Sequence, residues 1–138
     1  MQISANLKNK KNANYVILKT DKNTHSIKIP PAKSGYGSGA NGGELLFLAL
    51  AACYCNDIYR EAGKQGIKVE SVEVEVKGDL DSESSPASNI VYSAVVEAKA
   101  KRDIIIELMN LTDKVTEIQN TLRTGVSVTL ASAKAISV

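Results

Sequence analysis

An α+β domain built on antiparallel sheets is the fold class this sequence predicts, and three observations predict it. Short stretches of alternating apolar and polar residues come three in a row before residue 30, return as a longer pair between 67 and 100, and close the chain after 125. Two helix-period segments separate them, one from about Gly43 to Ala62 and one beginning after Asp103. Strands and helices do not alternate one for one, so the order βββ-α-ββ-α-β favours antiparallel pairing over a parallel sheet.

The 138 residues fit one domain, taken as 1–138, which at this size buries a core without needing a disulfide or a metal. Residues 2–8, 14–20 and 24–29 alternate across the turn-rich connections NKKN and DKN and predict a three-stranded meander. Lys8, Lys10 and Lys11 sit among asparagines and mark a solvated hairpin end. From 30 to 43 the stretch PPAKSGYGSGANGG holds five glycines and two prolines, which predicts a mobile loop with no ladder to offer.

The helix that follows carries Glu44 in its first turn, where a carboxylate suits the dipole, and is stopped by Gly63 and Gly66. Its first three turns are apolar all round, so they require cover on every side, deep in one domain or between two subunits. Residues 67–78 and 89–100 alternate valines with charged residues and predict a hairpin across DLDSESSPAS. Asp103 is placed to cap a second helix, whose residues Ile104, Leu108, Leu111, Val115, Ile118 and Leu122 predict one buried stripe. The alternation in VSVTLASAKAISV predicts a final strand.

Seventeen Lys and Arg stand against fifteen Asp and Glu, a net charge of +2, and the basic residues are scattered rather than gathered into a stripe. Nucleic acid is therefore excluded as the expected partner. MQISANLKNK lacks the basic start and apolar stretch of a secretory signal, so the expected location is cytoplasmic, with thiols kept reduced. The longest apolar run, Leu45 to Cys55, is about half the ~20 residues a membrane span needs, and no membrane partner is expected.

Both cysteines, Cys53 and Cys55, lie at the end of that run, where a thiol is by default a small hydrophobe. Residues two apart on a helix point about 200° away from each other, which disfavours both a disulfide and a shared metal. The sole histidine, His25, lies in a distant strand with no local partner. No metal and no cofactor is expected.

The order of elements and the stretch GGELLFLALAAC, followed by the Gly66–Ile67 turn and a Val-Glu-Val strand, resemble the OsmC/Ohr family of osmotically inducible and organic hydroperoxide resistance proteins. A weaker match is IQNTLRTGVSVTL, and together the similarity runs over nearly the whole chain. The resemblance implies an intertwined homodimer whose central helices are buried across the interface, with an active site built from both subunits. It implies that Cys53 is the nucleophile that attacks a lipophilic hydroperoxide and becomes a sulfenic acid. A second cysteine would then condense with it, and a dithiol would reset the disulfide.

The resemblance also implies an arginine from the loop before the helix, held by the glutamate that matches Glu44, to favour the thiolate. Residues 24–43 contain no arginine, only Lys28 and Lys33, and the position matching the second cysteine falls on about Thr116. Two functional readings follow. In the first, Cys53 and Glu44 serve a thiol-dependent peroxidase, with an external thiol as reductant. In the second, an impaired dimer binds a small lipophilic ligand or serves a non-enzymatic stress-related role. Tyr36, Tyr54 and Thr116 are candidates to line a pocket near Cys53, with packing as the competing role for the tyrosines.

Overall fold

The computed structural model describes all 138 residues, Met1–Val138. The chain is mixed α+β with antiparallel sheets, as expected, and divides within its first helix into two compact units, Met1–Phe47 and Leu48–Val138.

The first unit carries the meander β1 (Ile3–Lys10), β2 (Ala13–Thr20) and β3 (Asn23–His25). β1 and β2 pair from Ile3 with Thr20 to Lys10 with Ala13. Their turn, Lys11 and Asn12, has φ of 50° and 53°, the left-handed pair whose twist matches the strands it joins. β3 ends at His25, short of the predicted residue 29, and the chain leaves the sheet there.

The glycine-rich segment is a closed turn rather than a ladderless loop. Ala32 N donates to Gly37 O at 3.0 Å, Gly39 N donates to Pro30 O at 2.8 Å, and Pro31 and Ser38 form a bridge. Gly39 makes that closure possible, since a Cβ there would lie 2.8 Å from Pro31 O. Asn14 ties the turn to β2 by donating to Ile29 O and Pro30 O.

α1 (Gly42–Lys64) begins in a reciprocal cap: Asn41 Oδ1 accepts from the Glu44 N–H at 2.8 Å, and the Glu44 carboxylate accepts from the Asn41 side-chain amide. It ends at Gly66 with φ +67°, where Ile67 N donates back to Ala62 O and Gly66 N to Gly63 O. That pairing settles the last carbonyls of the helix.

In the second unit, β4 (Val69–Asp79) and β5 (Ser88–Ala98) form the predicted hairpin. Tyr54, Ile58 and Ala62 of α1 pack with Leu108 as the core, against partly buried Val72, Val74, Tyr92 and Val96. Tyr54 meets Tyr92 edge to face at 5.0 Å and donates its hydroxyl to Met109 O at 2.9 Å. Burial, and then the Asp113 charge, pushes the Tyr54 phenol up to about 12. Tyr92 donates to Asp113, which Arg123 pairs at 2.7 Å. Those contacts, the Tyr92 hydrogen bond first, hold the Asp113 carboxyl below its ordinary value.

The second predicted helix is two. α2 (Arg102–Val115) and α3 (Glu117–Thr124) are separated by Thr116, whose backbone is extended at φ −72° and ψ 121°. Asp103 does not cap α2: Lys101 holds that position, and Asp103 lies in the first turn. The buried line also differs from the predicted stripe. Leu108 is fully buried, but Leu111 is 41% exposed, and the residues that face inward with Leu108 are Thr112, Thr116 and Gln119. The apolar stripe lies to one side of a partly polar seam.

The predicted final strand is not formed. Residues 126–138 pair with neither sheet, and Val128 is 97% exposed. Alternation fits a segment to a sheet, but its backbone groups need a neighbouring strand to become one, and neither sheet supplies it within this chain. No helix is long and apolar enough to cross a membrane.

If the seam is as described, Leu108→Ala lowers unfolding free energy in urea by about 3 kcal/mol, and Leu111→Ala by less than about 1 kcal/mol. Equal losses at the two positions contradict the seam.

Candidate active site

Cys53 lies on the fourth turn of α1 and is partly buried. Its Sγ is 3.2 Å from Thr116 Oγ1, 3.7 Å from Asp57 Oδ2 and 3.7 Å from Glu117 Oε2. Helix geometry explains Asp57, four residues on and so on the same face. The break between α2 and α3 explains the others: it turns Thr116 inward at the start of α3 and puts Glu117 in that helix's first turn.

Thr116 is fully buried and so cannot leave its hydroxyl unpaired. It donates to Gln119 Oε1 at 3.1 Å, and Gln119 Nε2 in turn donates to Leu50 O at 3.0 Å. A threonine at the start of a helix usually caps it, yet Thr116 makes no side-chain cap bond. Its oxygen is turned to Gln119 and Cys53 instead.

Arg60 adds the positive charge. Its Nη1 lies 2.8 Å from Asp57 Oδ1 and 2.9 Å from Glu117 Oε1, and its Nε is 3.0 Å from Glu61 Oε1. Asp57 and Glu61 are buried. Burial pushes the Asp57 carboxyl above its ordinary value, and Arg60 is among the groups that oppose that rise. Glu117 is lowered, first by a backbone N–H and then by its contacts with Asp57 and Arg60. Lys64 and Arg60 lower Glu61. The Cys53, Asp57 and Glu117 ligand atoms all lie within 4.8 Å of one another. A metal ion there would compete with a guanidinium already paired to both carboxylates.

A cavity of about 140 Å³ opens beside this chain of hydrogen bonds, lined by Leu50, Ile90, Tyr92, Gln119, Leu122 and Arg123. Gln119 and Leu50 belong to both the cavity wall and the hydrogen-bond chain.

Of the residues singled out in the sequence, Cys53 and Thr116 are brought into contact. Tyr54 is a core residue bonded to Met109 O, and Tyr36 is 86% exposed in the glycine-rich turn. The Glu44 hydrogen bonds are those of the α1 cap. Cys55 is a free, partly buried thiol. Sequence reasoning missed Asp57, Arg60, Glu117 and Gln119. Cys53, Asp57 and Arg60, spaced four and three apart, are a signal that could have found the first two.

The family model for OsmC-like protein matches residues 35–131. A search of curated proteins by sequence finds no match. Among solved structures, the OsmC-like protein of Mycoplasma pneumoniae superposes with a TM-score of 0.61 at 17% identity, over 90% of this chain and 87% of that one. An OsmC-like protein of unknown function from Vibrio cholerae gives 0.56 at 18%, over 88% and 93%. The organic hydroperoxide resistance protein OhrB of Bacillus subtilis gives 0.53 at 21%, over 88% and 92%. At these identities the likeness is one of fold.

Proposed function

We propose that the chain, which belongs to the OsmC-like protein family, acts as a one-cysteine thiol peroxidase on organic hydroperoxides. The observation that carries this reading is the contact of Cys53 Sγ with Thr116 Oγ1 at 3.2 Å. Thr116 stands where the family resemblance places the second cysteine, so the reacting sulfur faces a hydroxyl that cannot condense with it. The hydroperoxide resistance named for the Bacillus subtilis neighbour supports the substrate class.

In the first step the Cys53 sulfur bonds to the terminal oxygen of ROOH, the O–O bond breaks, and ROH leaves, giving a sulfenic acid. Sulfur loses two electrons and the peroxide gains them. Two molecules of an external thiol then restore Cys53, releasing a disulfide and water. The cavity beside Gln119 would take the apolar part of the hydroperoxide, through Leu50, Ile90 and Leu122.

That same cavity favours a second reading, a dimer that binds a small lipophilic ligand without turnover. The two separate in one assay. The peroxidase reading expects consumption of an alkyl hydroperoxide with a monothiol or dithiol, dimedone labelling of Cys53, loss of both in Cys53→Ser and retention in Cys55→Ser. Ligand retention without consumption by the wild type favours the second reading and sinks the first.

The reading includes a homodimer in the cytoplasm. Leu48 is 59% exposed on the apolar half of α1, and Val126, Val128 and Leu130 are exposed beyond α3, surface that a second copy would cover. Sedimentation equilibrium is expected to return twice the 14.7 kDa chain mass. A monomer at micromolar concentration rules this part out.

A further inference from the structure

The three side-chain oxygens around Cys53 Sγ all present it with lone pairs. Gln119 Nε2 donates to Leu50 O, which turns Oε1 toward Thr116, and the one proton of the Thr116 hydroxyl goes to that Oε1. What Thr116 offers Cys53 is therefore an acceptor. Asp57 Oδ2 and Glu117 Oε2, at 3.7 Å each, are acceptors as well.

The cations stand on the other oxygens of those carboxylates. Arg60 pairs with Asp57 Oδ1, Glu117 Oε1 and Glu61 Oε1, and Lys64 pairs with Glu61 Oε1 at 2.9 Å. Both ion pairs that border the sulfur thus turn their negative end to it. The network as a whole has the same sign, since Asp57, Glu61 and Glu117 are joined to Arg60 and Lys64 alone, three negative charges to two positive. Of the three oxygens around Sγ, only one belongs to an exposed side chain: Thr116 is fully buried, Asp57 is 7% exposed and Glu117 is 60% exposed. The solvent side of the sulfur is the Glu117 side.

A thiol that restores Cys53 from solvent therefore comes in past a carboxylate. Resting on the peroxidase reading above, we propose that Glu117 selects this thiol by charge. It favours a small aminothiol, whose ammonium group sits two carbons from its sulfur and pairs with Glu117 Oε2, and it repels thiols that carry a carboxylate or sulfonate. The thiol sulfur bonds to the Cys53 sulfur, the S–O bond breaks, and hydroxide leaves as water with the thiol's own proton. A second aminothiol attacks the sulfur of the first, the mixed disulfide breaks, and Cys53 leaves with the second proton. The sum is Cys–SOH plus two RSH giving Cys–SH, RSSR and water: the Cys53 sulfur gains two electrons and each thiol gives one. Glu117 acts on the approach of the thiol, and Arg60 is a positioning residue that holds Oε1 and leaves Oε2 beside the sulfur.

Three thiols of one length provide the test: cysteamine, which is cationic, mercaptoethanol, which is neutral, and mercaptoethanesulfonate, which is anionic. In a Cys55→Ser background, Cys53 is oxidised with one equivalent of an alkyl hydroperoxide, and the rate at which each thiol removes the dimedone-reactive species is followed at low ionic strength. The cysteamine rate divided by the sulfonate rate is the selectivity, and comparing it between variants cancels the thiols' own reactivities. Glu117→Gln, at an exposed position that folding tolerates, is expected to lower the selectivity at least about tenfold, the worth of one charge met at contact by two thiols of opposite sign even in water. Glu117→Lys should lower it further, the mercaptoethanol rate should change least, and added salt should narrow the differences.

A selectivity that does not fall from Glu to Gln to Lys overturns the charge selection and leaves the peroxidase reading standing. Equal slowing of all three thiols in the variants also overturns it, since that marks a structural role. A wild type in which Cys53 forms no dimedone-reactive species overturns both proposals.

Discussion

The hydrogen bond between Cys53 and Thr116 is the interaction on which the arrangement of this site depends. Thr116 is fully buried at the break between α2 and α3, so its hydroxyl must be satisfied where it stands. Gln119 and Leu50 O take one side of it and Cys53 the other. A continuous helix through residue 116 would carry no such corner. The price in local structure is visible: a residue suited to capping α3 makes no side-chain cap bond.

Charge is arranged around that bond rather than across it. Asp57 is buried beside the sulfur, and an unpaired buried carboxylate would be costly. Arg60 neutralises it together with Glu117, from the same helix face, and in doing so turns one oxygen of each acid toward Sγ. The family resemblance implies a cation from the loop before α1. Here the charge beside the cysteine's neighbours comes from α1 itself, two turns on, and the carboxylates stand between it and the sulfur.

The β4–β5 hairpin was legible because period-two alternation coincides with burial: Val72, Val74 and Val76 face inward while Glu73, Glu75 and Lys77 do not. α1 was legible from Glu44 and Gly66, whose cap and left-handed turn bound it. The break at Thr116 was hidden because apolar spacing continues smoothly from Ile104 to Leu122 across it. Hydrophobic patterning also cannot see a seam made of Thr112, Thr116 and Gln119, residues that are buried through their hydrogen bonds. Cys53 and Thr116 came from the resemblance. Glu117 and Gln119 meet α1 only once the chain has folded back on itself, so no local spacing announces them.

The most direct test of the account is whether the Cys53 S–H donates to Thr116. The infrared S–H stretching band of the Cys55→Ser protein reads this, with Cys53 its only thiol. The account predicts a band displaced to low frequency by hydrogen bonding, which moves up in Thr116→Val while the fold is kept. A band at the frequency of a free thiol, or one that Thr116→Val leaves in place, would contradict it.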